Sequence, residues 1–174
     1  MFTYLRFSRG LSLGVSRERG VFCMPEILEK IIKEKISADH LLYVSMKYTK
    51  TCDVMINLIK RWKIMMDYAF DELLDKAKKK KIIKIIPDAP KIRIDLLKQA
   101  FAKHKEVTDA IIEYEMFKLI DVLPKSRENE FRKGVCLRVT YKGHEIPITL
   151  DKLKEYWEIL ERFINFTKLY LTEK

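Results

Sequence analysis

Four consecutive lysines, Lys78 to Lys81, followed by Lys84 and Lys91, make the densest run of like charge in the chain. Such a cluster attracts a phosphate backbone, with an affinity that falls steeply with salt. It also closes a helix-compatible stretch, where the negative end of the helix dipole favours cations, so a solvated helix end is the simpler account. Asp67, Asp71 and Asp75 recur every four residues. On a helix they share one face, and a row of carboxylates suits a hard divalent cation. No histidine joins them at ligand spacing, and Lys63 and Lys78 stand close enough to neutralise them, so surface pairing is expected and no metal is assigned. Arg138 and His144 are separated by five residues that include Gly143, and a hairpin turn there lets the two side chains converge. The plainer reading is an exposed arginine on one strand and a histidine flanking the turn. His104 falls on an apolar helical repeat, and His40 follows Asp39 at a helix start; neither has a nucleophile or a metal set beside it.

The spacing of Arg138 and His144 resembles the arginine-x(4–6)-histidine signature of the HEPN family, helical-bundle proteins that include ribonucleases. The resemblance implies a helical bundle. It also implies an alternative function, RNA cleavage in which Arg138 stabilises charge on the phosphodiester and His144 transfers a proton. In that family the motif opens a bundle helix, whereas the alternating residues around Gly143 place it on a hairpin here. Other catalytic patterns are missing from the sequence. There is no Gly-rich phosphate loop, no G-x-S-x-G elbow and no H-E-x-x-H. No cofactor is expected, and a non-enzymatic role is preferred to the ribonuclease.

Composition narrows the class further. The 174 residues carry a formal net charge of +10, which favours non-specific contact with nucleic acid or other polyanions. Cys23, Cys52 and Cys136 are odd in number and widely spaced, which fits neither a disulfide scaffold nor a cysteine-rich zinc site and suits a reducing, cytoplasmic setting. No apolar run approaches the roughly 20 residues needed to span a bilayer, so no membrane partner is expected. Gln99 is the only glutamine, and Asn57, Asn129 and Asn165 are the only asparagines. With abundant Lys, Glu and Ile, this is a thermophile-like composition.

The elements that must position these residues are long helices. Between Val21 and Lys133 there is no glycine, and proline occurs there only at positions 25, 87, 90 and 124, so the usual interruptions of helices are scarce. Residues 1–23 stand apart as an arginine-containing, lysine-free extension. A targeting segment and a basic arm are two readings; a start artefact upstream of Met24 is preferred. Residues 24–174 form one domain. A first helix is expected from Pro25 to about Lys35, with Ser37 as N-cap of the next. That second helix, from about Ala38 to Lys80, is the spine, its seam running through Leu41, Tyr48, Cys52, Met55, Ile59, Trp62, Met66, Ala69 and Leu73. Unbroken, it would be roughly 60 Å long, so it must kink or protrude. Part of its seam left exposed would call for a homodimer. A third helix is expected, capped by Asp88 with Pro90 in its first turn and running to about Leu123, then a charged loop over 125–133. Alternation from Val135 to Tyr141, a Lys142-Gly143 turn and a return through Ile148 predict a β-hairpin. Thr149 caps a last helix that runs to the C-terminus. The expectation is a mainly α four-helix bundle with a small β-hairpin before its C-terminal helix. It would act as a binding or assembly module whose partner is nucleic acid or a second copy.

Overall fold

The computed structural model describes residues 26–173. The expectations for residues 1–23, Cys23 included, lie outside the described residues. The chain is mainly helical, with a small antiparallel sheet before the C-terminal helix, and the helical-bundle class holds. Helix α1 spans Glu26–His40 and runs on through a π-helical turn, Leu41–Ser45, into the short α2, Met46–Tyr48. The 28-residue α3, Cys52–Lys79, is the spine. Then come α4, Pro90–Ala100, and α5, Lys105–Phe117. Strands β1, Lys125–Glu128, β2, Cys136–Tyr141, and β3, His144–Ile148, precede α6, Leu150–Thr172.

The expected 38–80 rod is two helices rather than one. Ser37 caps nothing; its hydroxyl donates back to the Lys33 carbonyl at 3.0 Å inside α1. The real break falls at Lys50, where φ is +47°, and at Thr51, whose extended backbone (φ −117°, ψ 150°) opens α3. Folding back there lets α1 lie along α3 instead of extending a rod into water. A local signal was present: Thr51 followed by Cys52-Asp53 puts a residue type favoured at N-caps before an acidic first turn, although the Thr51 side chain itself makes no cap bond. Within α3 the seam behaves as expected, since Cys52, Met55, Ile59, Trp62, Met66, Ala69 and Leu73 are fully buried. This chain's own helices cover them, so the seam supplies no argument for a homodimer. Tyr48, assigned to the same seam, instead lies 75% exposed.

Helix three is also divided. Phe101 leaves helical geometry and His104 is extended at the start of α5. The turn presents both rings to α6: Phe101 meets Tyr170 edge-on at 5.2 Å, and His104 sits 4.8 Å from Phe166. Aromatic packing overrides helix propensity at this point. At the centre of the molecule Trp62 stacks between Trp157 and Phe117, at 6.1 and 5.8 Å.

The hairpin forms as expected, its two-residue Lys142-Gly143 turn having positive φ at both positions (51° and 80°), the geometry that matches strand twist. Part of the expected charged loop is a third strand: β1 pairs with β2 from Lys125↔Val139 to Glu128↔Cys136, so β2 lies central in the order β1-β2-β3. Lys-Ser-Arg-Glu has no apolar alternation because β1 is a mostly exposed edge. The inner face of the sheet, Leu137, Val139 and Ile148, is buried. Thr149 caps α6 as expected, its hydroxyl accepting from the Lys152 N–H at 3.2 Å.

Candidate functional site

Two basic regions lie at opposite ends of the bundle. Helices α3 and α6 run parallel: Lys50 and Leu150, beside their first residues, line one groove, while Lys76 near the end of α3 donates to the Leu171 carbonyl near the end of α6 at 3.2 Å. A helix the length of α3 separates the two ends by about 40 Å.

The lysine run occupies the end where both helices terminate. Lys80 pairs with Glu173 at 3.1 Å and lies 4.5 Å over the Tyr170 ring. Lys78, Lys79, Lys81, Lys84 and Lys91 are exposed and form no ion pair among the described residues. They sit where the negative helix ends favour cations, so stability alone accounts for much of this run.

The opposite end holds a groove that the sequence did not reveal. Its cavity of about 610 Å³ is floored by Leu42, Met46 and Val135 and edged by Lys47, Lys50, Arg132, Lys133 and Lys154. Among the described residues Asp151 is the one carboxylate on its wall, and it pairs with Lys154 at 3.3 Å. Among the described residues, Lys47, Lys50, Arg132 and Lys133 form no ion pair. Lys47 and Lys50 close the α1–α2 segment, a place the dipole rule allows. Arg132, Lys133 and Lys154 converge instead on the opening turn of α6, where the dipole already contributes positive potential.

Long-range bonds fix this geometry. The Glu130 carboxylate accepts from the Cys52 N–H at 3.0 Å, capping α3 from the loop that carries Arg132 and Lys133. The Phe131 N–H donates to the Lys50 carbonyl at 2.9 Å. Arg127 grips Asp53 through two bonds, at 2.6 and 3.1 Å. The opposite wall comes from the π-helical turn, an expanded turn that recurs at functional sites. No local signal marks this groove, because its walls come from residues 42–50, 132–135 and 149–154.

The other candidates are separated or already engaged. Arg138 faces Glu128, its Nε donating to Oε1 at 2.6 Å, with Glu145 at 3.9 Å. His144 pairs in register with Tyr141, while Arg138 pairs with Pro147. Alternation along the strands therefore puts Arg138 and His144 on opposite faces of the sheet. Asp67 accepts from Lys63 and from the Tyr114 hydroxyl, both at 2.7 Å, and Asp71 from Arg93 at 2.6 Å. Burial raises the Asp71 pKa against the pull of Arg93. Burial, then the bond to Asp67, pushes the Tyr114 hydroxyl above the ordinary tyrosine range. This network lines a cleft of about 330 Å³ between α3, α4 and α5 and serves to lock them. Among the described residues no set of three His, Cys, Asp or Glu side chains is arranged to hold a metal ion. Burial raises both the Cys52 and Cys136 thiols, the opposite of what a reactive cysteine needs. Among the described residues no helix is long and apolar enough to cross a membrane.

Comparison with known proteins matched the chain to no family model, no curated protein and no solved structure.

Proposed function

We propose that this chain is a non-enzymatic helical binding module that holds nucleic acid. The observation that supports the reading is the groove. Four cationic side chains without a carboxylate partner among the described residues converge on an apolar floor, close to a helix N-terminus that adds positive potential. Like charges brought together this way cost stability, and an anionic ligand removes the cost. The lysine run from Lys78 to Lys81, with Lys84 and Lys91, supplies a second and more diffuse contact at the other end. The ribonuclease alternative relies on Arg138 and His144 acting on one phosphodiester, and their separation across the sheet leaves it without support.

The test is binding of labelled RNA and DNA oligonucleotides, followed by anisotropy across a salt series. Binding at about 50 mM salt that weakens log-linearly, with a slope of about −0.7 per phosphate contacted on a single strand, is the expected result. No binding at low salt, or affinity indifferent to salt, sinks the proposal.

A further inference from the structure

Fifteen aromatic side chains lie among the described residues, and only Tyr43, Tyr48 and Phe131 are exposed. Tyr43 belongs to the groove, and Tyr48 and Phe131 each adjoin a groove cation in the chain, Lys47 and Arg132. Tyr48 carries the Lys47 ammonium 5.7 Å over its ring, and Lys47 is itself a groove residue. Phe131 precedes Arg132 and is tied to the Lys50 carbonyl at 2.9 Å.

Stability does not account for these three rings. They stand 55%, 75% and 75% exposed, in chain order, whereas every other aromatic among the described residues is buried or half-buried. Phe131 also has φ +64°, a left-handed conformation that a bulky residue adopts only under strain. A strained backbone that holds a phenylalanine in water points to something that covers the ring.

We infer that the groove takes single-stranded nucleic acid, with unpaired bases stacked on Tyr43, Tyr48 and Phe131 and phosphates paired to Lys47, Lys50, Arg132 and Lys133. The inference rests on the nucleic-acid reading above and names the form of that ligand. Interleaved cations and aromatics are the chemistry of single-strand recognition, because every unpaired base offers a π-face while duplex bases are already stacked on one another. Phosphate contact alone, as at the lysine run, needs no rings.

The experiment compares three probes on the full chain: a 12-nucleotide single strand, its 12-base-pair duplex and inorganic polyphosphate. Tyr43→Leu, Tyr48→Leu and Phe131→Leu each remove a ring and keep an apolar side chain. The expected result is a single strand bound at least tenfold tighter than either other probe. Each ring removal should weaken the single strand about tenfold and leave its salt slope unchanged. Phe131→Gly relaxes the left-handed backbone, so it should keep or raise the melting temperature while weakening binding, which separates lost stacking from lost folding. Equal binding of strand, duplex and polyphosphate, with ring variants unaffected, overturns the inference and leaves the broader reading standing. Failure of all three probes to bind at low salt overturns both.

Discussion

The two basic ends of this bundle show why charge density is a poor guide to function. At one end, adjacent lysines from Lys78 to Lys81 lie where α3 and α6 terminate, and Lys76 and Lys80 make their contacts with the tail of α6. The helix dipoles favour these cations there, and solvent covers them. At the other end, Lys47, Lys50, Arg132 and Lys133 come from segments more than 80 positions apart in the sequence and close over an apolar floor. Part of that set works against the positive end of α6. A cluster that stabilises its own helices needs no ligand, whereas one assembled against local electrostatics gains from an anion. The groove, with fewer lysines in a row, is the better candidate site.

The comparison breaks or sharpens under four measurements. The largest effect is expected from Lys47→Gln, Arg132→Gln and Lys133→Gln combined. Affinity for a single strand should fall about 100-fold at low salt, and the log–log slope should flatten by about 2 as three phosphate contacts disappear. If that triple variant binds like the parent, the groove is not the site.

A pH titration tests the core that holds both ends. Burial pushes the Tyr114 and Tyr156 hydroxyls above the ordinary range, so folding favours their neutral forms. The stabilisation is complete below the unfolded value of about 10 and is lost as pH rises beyond it. Denaturant melts between pH 8 and 11 should show stability falling by up to about 1.4 kcal/mol per pH unit for each such tyrosine. Tyr156→Phe should reduce that slope. A flat profile above pH 10 would contradict the buried positions.

Third, Glu130→Ala removes the carboxylate that caps α3 and pins the Arg132–Lys133 loop. A loss of about 1 kcal/mol in stability is expected, with binding a few-fold weaker. Unchanged affinity would mean that the loop needs no anchoring. The smallest effect is expected at the lysine run: Lys78→Gln, Lys79→Gln, Lys81→Gln and Lys84→Gln together should weaken binding less than tenfold and lower the melting temperature slightly. A loss equal to that of the groove variant would erase the distinction between the two ends.

Much of the fold was legible because its signals are local. Thr149 and the Lys142-Gly143 turn announced themselves through cap and turn chemistry, and the three-four spacing from Cys52 to Leu73 marked the face of α3 that is buried. Three features escaped. The break at Lys50 was masked by apolar periodicity that continues across it into α1 and outweighs the short signal at Thr51-Cys52-Asp53. The division at Phe101–His104 is imposed by the aromatics of α6, which lie 60 residues away. Strand β1 is polar throughout: Lys125 and Arg127 pair with the buried Val139 and Leu137 yet stay exposed at the sheet edge, so no apolar residue marks the strand. The site was legible only as ingredients: the lysine run was visible but sits where stability explains it, and Arg138 and His144 were visible as a spacing that the sheet register pulls apart.

By itself the sequence determined the kinds of element, since helix period, glycine scarcity, caps and turns act through bonds between residues a few positions apart. It also determined that the molecule is strongly cationic. Tertiary structure alone decided where the long helical stretches fold back, and which cations share a groove with Tyr43. Those outcomes depend on α3 and α6 lying parallel and on Glu130 reaching the Cys52 amide. Distances between remote segments are set by how the whole core fills space, and no local pattern encodes them.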